Sequence, residues 1–163
     1  MTRYAQNTSV SSQQSRQEIE RILERYGADQ FMYGWQGNAA VVAFRAHERR
    51  IRFILPLPAK DEKPFTHFKR AGYWTPRTSA DAIQKEYEQA IRQRWRALAL
   101  VIKAKLEAVE SGISEFEDEF LANIMLPDGN TVGEWMKPQV AEAYRIGSMP
   151  SLLPMLPAPE PAD

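Results

Sequence analysis

Cationic side chains in the middle of the chain are the residues whose types and spacing could do chemistry. Lys85, Arg92, Arg96 and Lys103 lie in a stretch with helical periodicity. At about 100° per residue they fall within about 40° of one another, with Gln89 in the same line. Guanidinium groups spaced along a helix match a phosphate backbone. Arg45, Arg49, Arg50 and Arg52 add charge from a strand-like stretch. Lys69, Arg70 and Arg77 follow, interleaved with Phe65, Phe68, Tyr73 and Trp74. Charge that tracks a backbone and rings that stack on bases are what single-stranded nucleic acid requires. The competing reading is a solvated helix face, on which Arg92 and Arg96 pair with Glu88 and other acids.

Catalytic signatures are weak. The chain has two histidines, His47 and His67, and no cysteine. That excludes a disulfide framework, a Cys zinc site and a thiol nucleophile. Asp61-Glu62-Lys63, and Asp128 followed by Glu134 and Lys137, resemble fragments of metal nucleases, but the spacing to the lysine does not fit. Glu115, Glu117, Asp118 and Glu119 open a helix, where carboxylates meet the positive end of the dipole. Neither a Walker-type phosphate loop nor a dinucleotide fingerprint is present. The expectation is a non-enzymatic protein with no cofactor and no metal.

The 163 residues carry 21 basic and 21 acidic side chains, so the net charge is zero. The sum hides a separation. Residues 40–105 carry a net charge of +9 and residues 106–163 a net charge of −9, while residues 1–39 balance. Such asymmetry suits a basic surface for a polyanion. It equally suits two halves that neutralise each other within the fold, or copies that dock head to tail into a homo-oligomer. Hydrophobic residues make up 44% of the chain, which argues against wholesale disorder. No apolar run approaches a bilayer span, and the N-terminus has no signal-like apolar region. A cytoplasmic protein with no membrane partner is expected.

The elements that must position these residues follow from periodicity. The fold class expected is α+β: an N-terminal helix, a three-stranded antiparallel meander, a long amphipathic helix and short C-terminal helices. Residues 1–14 read as a flexible arm, residues 15–147 as a single domain and residues 148–163 as a Pro-rich tail. A capping box at Ser15–Glu18 predicts the first helix, closed by Gly27. Phe31, Tyr33 and Trp35 alternate, and strands over 39–45 and 50–55 follow, with Pro56 and Pro58 as stops. Residues 56–78 lack either periodicity and read as a functional loop or one disordered without ligand. Ile83, Tyr87, Ile91, Trp95, Leu98, Ile102, Leu106, Val109 and Ile113 predict one long helix capped by Ser79 and closed by Gly112. Capping boxes at Ser114–Glu117 and Thr131–Glu134 predict two more helices, the second broken near Pro138 and ended by Gly147.

The run Ser15-Arg16-Gln17-Glu18-Ile19-Glu20, with Arg25-Tyr26-Gly27-Ala28 and Arg50-Ile51-Arg52-Phe53, resembles small proteins of unassigned function encoded by bacteriophages and plasmids. Leu55-Pro56-Leu57-Pro58 and the helix from Arg94 to Glu110 carry the same resemblance, which spans residues 8–157. It implies only a mobile-element setting and brings no activity with it, so no catalytic residues are carried over. The layout of helix, meander, loop and long basic helix is similar to the core of single-strand annealing proteins. That likeness implies a basic groove for single-stranded DNA and ring-forming subunits. The expected function is therefore single-stranded nucleic-acid binding or annealing. The alternative is a protein-binding module, such as a phage inhibitor of a host defence enzyme or an assembly subunit, using residues 148–163.

Overall fold

The alternation of apolar and polar residues over 30–56 can be satisfied only if one face of a sheet is covered, and a long helix with one apolar stripe supplies the cover. The computed structural model describes residues 8–148. Helix α1 (Ser12–Arg25) leads into the antiparallel strands β1 (Gln30–Gln36), β2 (Ala39–Ala46) and β3 (Arg49–Pro56), in the order β1-β2-β3. Helix α2 (Lys63–Thr66), strands β4 (His67–Arg70) and β5 (Tyr73–Pro76), and helix α3 (Ala80–Glu110) follow. Helix α4 (Phe116–Phe120), a 3-10 turn (Leu121–Asn123) and helix α5 (Val132–Ile146) complete the described chain. The fold is thus the expected α+β arrangement of helix, meander, long helix and short C-terminal helices.

The core forms between the sheet and α1, α3 and α4. Val42 and Phe44 of β2 and Ile51, Phe53 and Leu55 of β3 meet Ile19 and Leu23 of α1 and Trp95, Leu98, Ile102 and Leu106 of α3. Fully burying a large apolar side chain contributes roughly 1.5–3 kcal/mol, so this layer dominates the stability. Phe120 of α4 is fully buried and stands edge-on to both Phe44 and Phe53, at 5.9 and 6.3 Å between ring centroids. The free edge of β3 is covered by the chain after the 3-10 turn: Met125 donates its N–H to the Arg50 carbonyl at 2.7 Å, and Asn123 Nδ2 donates to the Arg52 carbonyl.

Several local expectations are corrected. Helix α1 is capped by Ser11, in a box with Gln14, and not by Ser15; Ser15 is buried in the helix. The last residues of the expected arm are therefore helical, while residues 1–7 lie outside the described residues, as do 149–163 of the Pro-rich tail. Helix α4 starts from Glu115 with no side-chain cap, so the Ser114 box does not form. The Thr131–Glu134 box does form, but α5 is one continuous helix with Pro138 inside it. Ile113 is 81% exposed, because α3 ends at Glu110 and the turn at Gly112 throws the next residue off the stripe.

The largest correction concerns residues 56–78. They hold α2 and a β-hairpin. Phe65 of α2 is buried edge-on against Tyr87 of α3, and Arg77 N–H donates to the Thr66 carbonyl at 2.7 Å. The hairpin turns on Ala71 and Gly72, at φ +49° and +86°. Two consecutive positive φ values match the twist of a tight two-residue hairpin, and glycine adopts one of them without strain.

Candidate nucleic-acid interface

Among the described residues, the eleven positions expected to contact nucleic acid do not form one open strip. Four of the cations are held by the protein's own carboxylates. Arg45 on β2 grips Asp29 and Arg96 on α3 grips Glu18 of α1, each in a close ion pair. Arg52 on β3 donates to Glu134 and to the Gly129 carbonyl at 2.9 Å. Arg77 lies 3.6 Å from Glu86 and stacks over Phe68. For Arg96 the reason is packing: α1 lies along α3, so the middle of the α3 row, Arg92 and Arg96, meets the seam between the two helices, while Lys85 and Lys103 at its ends stay exposed. Arg92, half-buried in that seam, donates to Gln89 Oε1 at 2.6 Å, and Gln89 donates to the Thr8 carbonyl. The competing reading holds in part: Arg96 is paired with an acid, but that acid is Glu18, and Glu88 instead accepts from Gln84.

Arg50, Lys69, Arg70, Lys85 and Lys103 are exposed, with no carboxylate within ion-pair distance among the described residues. Arg50 borders a shallow cavity of about 260 Å³ on the outer face of the sheet, beside Met32, Ala43 and Met125. Lys85 and Lys103 lie at opposite ends of the α3 row. Two groups of the expected residues are brought together. Arg45, Arg50 and Arg52 are neighbours on the outer face of β2 and β3, where Arg45 and Arg52 are already ion-paired. Lys69, Arg70 and Trp74 lie together on the β4–β5 hairpin without an acidic partner among the described residues.

The register of that hairpin pairs Lys69 with Trp74 and Arg70 with Tyr73. Alternate residues of a strand point to opposite faces, so each face of the hairpin carries one cation beside one ring. All of Phe68 to Pro76 is exposed, Tyr73 by 78% and Trp74 by 45%. Phe68 and Tyr73, expected as rings interleaved with the basic residues, lie on the hairpin with Trp74. What sequence reasoning missed is the hairpin itself, whose signal is Arg70-Ala71-Gly72-Tyr73, a two-residue turn with glycine second, flanked by aromatic runs.

No known protein family, curated protein or solved structure matches this chain.

The separated charge satisfies itself in part. Arg49–Glu117, Arg52–Glu134 and Lys105–Glu119 each join the basic segment to the acidic one. Hydrogen bonds from Arg45 hold the Asp29 carboxyl below the usual carboxylate range and raise Arg45 in turn. The carboxylates of the nuclease-like fragment also have local work. Asp128 accepts from the side chain and backbone N–H of Asn130 in its own turn, which lowers its pKa. Glu134 closes the N-terminus of α5. Among the described residues no group of three or more His, Asp or Glu side chains is disposed to hold a metal ion, and no helix is long and apolar enough to cross a membrane.

Proposed function

We propose that this protein is a non-enzymatic binding accessory that engages single-stranded nucleic acid through the β4–β5 hairpin. The carrying observation is the exposed pairing of Lys69 with Trp74 and of Arg70 with Tyr73. An extended strand lying along the hairpin would meet a cation for its phosphates and a ring for its bases on either face. The mobile-element setting implied by the sequence resemblance suits such an accessory.

The salt dependence of binding distinguishes the hairpin from a broad basic surface. Each neutralised phosphate of a single strand contributes a slope of about −0.7 in log affinity against log salt. Two hairpin cations therefore give about −1.4, whereas engagement of all ten expected cations would give about −7. The test is a titration of a labelled oligonucleotide across a salt series. Trp74→Ala should weaken binding by about tenfold, within the ~1–3 kcal/mol of a base–aromatic stack. Lys69→Glu with Arg70→Glu should abolish it at moderate salt. Affinity unchanged in these variants would refute the proposal.

A second reading, a protein-binding module, is favoured by a separate observation. Helix α5 has no buried residue, packs chiefly on the 3-10 turn, and exposes Trp135, Val140, Tyr144 and Ile146. Its test is a stoichiometric protein partner that is lost on Trp135→Ala with Tyr144→Ala, or on deleting residues 148–163 that follow α5.

A further inference from the structure

Strand β1 has the makings of an interface of its own. Its inner edge pairs with β2 over seven consecutive residues without a bulge, and among the described residues no segment pairs with its outer edge. A free edge presents a row of unpaired backbone donors and acceptors, which proteins usually blunt with lysine, proline, a bulge or an inward charge. Gln30-Phe31-Met32-Tyr33-Gly34-Trp35-Gln36 contains no proline and no charged residue. The opposite edge of the sheet, on β3, is covered by residues 123–125. Apolar side chains also overhang the open edge on both sides: Tyr33 and Trp35 on the helix side are 50% and 61% exposed, and Met32 on the outer side is 67% exposed.

We infer that β1 pairs antiparallel with β1 of a second copy of this chain, across a two-fold axis at Tyr33, to make a continuous six-stranded sheet. The strand is complementary to itself in that register. Phe31 falls opposite Trp35 of the second copy, an aromatic cross-strand pair. Met32 falls opposite Gly34, where no side chain competes for its space. Gln30 falls opposite Gln36, and no position of the strand itself sets like charges against each other; the Arg16 guanidinium of α1 lies over the Tyr33 ring of its own copy, 5.2 Å from the ring centroid. The pairing is isologous, so it closes at two copies. The three overhanging side chains offer roughly 300–400 Å² per copy, as a fully exposed aromatic side chain spans about 150–250 Å². That is about half of the ~800 Å² per partner of a standard interface, so the dimer dissociates in the micromolar range.

Sedimentation of the full chain from about 1 μM to about 1 mM should show the 18.7 kDa monomer giving way to a species of twice that mass. A monomer across that range overturns the inference. Tyr33→Lys with Trp35→Lys should remain folded by circular dichroism and stay monomeric; a folded variant that still dimerises to the same extent also overturns it. The cysteine-free chain allows a test of register that needs no disruptive change. Gln30→Cys and Gln36→Cys are substitutions at exposed polar positions. A short bis-maleimide should couple the two variants when they are mixed, but neither variant to itself, because like positions would lie about 20 Å apart at ~3.4 Å per residue. Self-coupling of either variant, or no coupling of the mixture, refutes the two-fold at Tyr33.

Discussion

Glu134 ties the N-terminus of α5 to the sheet. Its carboxylate accepts from the backbone N–H of Thr131 at 2.7 Å, from the Thr131 hydroxyl at 3.1 Å and from the guanidinium of Arg52 on β3. The Thr131 backbone hydrogen bond is the foremost cause holding its pKa below the ordinary glutamate value, with the Thr131 hydroxyl and Arg52 acting the same way. A depressed carboxylate is protonated more readily in the unfolded chain than in the folded one. Its contribution is therefore fully present above the ordinary carboxylate range and is lost as pH falls through it towards the folded value. Asp29, Asp128 and Glu142 are lowered too, so the whole protein should lose stability below about pH 4. Glu134→Gln should lower the urea midpoint near pH 6, and the gap from wild type should narrow as pH falls through the ordinary carboxylate range towards the lowered folded value. A gap that stays constant across that range would show that the charge of Glu134 contributes nothing.

At the scale of elements, periodicity and caps were legible wherever local chemistry and burial agree. The stripe Trp95, Leu98, Ile102 and Leu106 became the buried face of α3, and the Ile51, Phe53 and Leu55 alternation became the inner face of β3. Ser15 misled because it opens a box pattern one turn inside a helix that Ser11 had already capped; two serines four residues apart offer the backbone equivalent caps, and burial decided between them. The hairpin was hidden because its strands are four residues each, too short for alternation to register, and only the turn marked it. The expected basic strip could be drawn on a helical wheel, but a wheel does not show that α1 covers the middle of it. The junction of α5 with the 3-10 turn is another contact invisible in sequence. A Cβ on Gly133 would stand 2.7 Å from the Ala122 carbonyl oxygen, although the backbone there needs no glycine. Gly133→Ala should therefore destabilise this junction, by about 1–3 kcal/mol as overpacking typically does, despite the better helix propensity of alanine. Increased hydrogen exchange in α5, with that of α3 unchanged, is the expected signature; a more stable variant would show that the 3-10 turn yields without cost.

At the scale of the whole molecule, the C-terminal region divides into a part that completes the core and a part that stands outside it. Phe116 and Phe120 are buried against each other and against β2 and β3, and Ile124 pairs with Ile51 at the edge of the sheet. Beyond Asn130 only the side chain of Thr131 is buried among the described residues. The free energy of folding follows buried area, and so does the denaturant dependence of unfolding. Truncation after Asn130 should then leave a cooperative fold with nearly the same denaturant slope, less the modest contributions of the Arg52–Glu134 pair and the α5 junction. Truncation after Ser114 removes Phe116 and Phe120 and opens the Phe44–Phe53 surface; loss of a single buried phenylalanine costs about 3–5 kcal/mol, and two together exceed much of the stability of an ordinary domain. That chain should not unfold cooperatively. Equilibrium urea unfolding of the two truncations decides the matter: if the longer one is also unfolded, α5 is part of the folding unit, and its exposed Trp135 and Tyr144 stabilise the body in a way that their exposure does not account for.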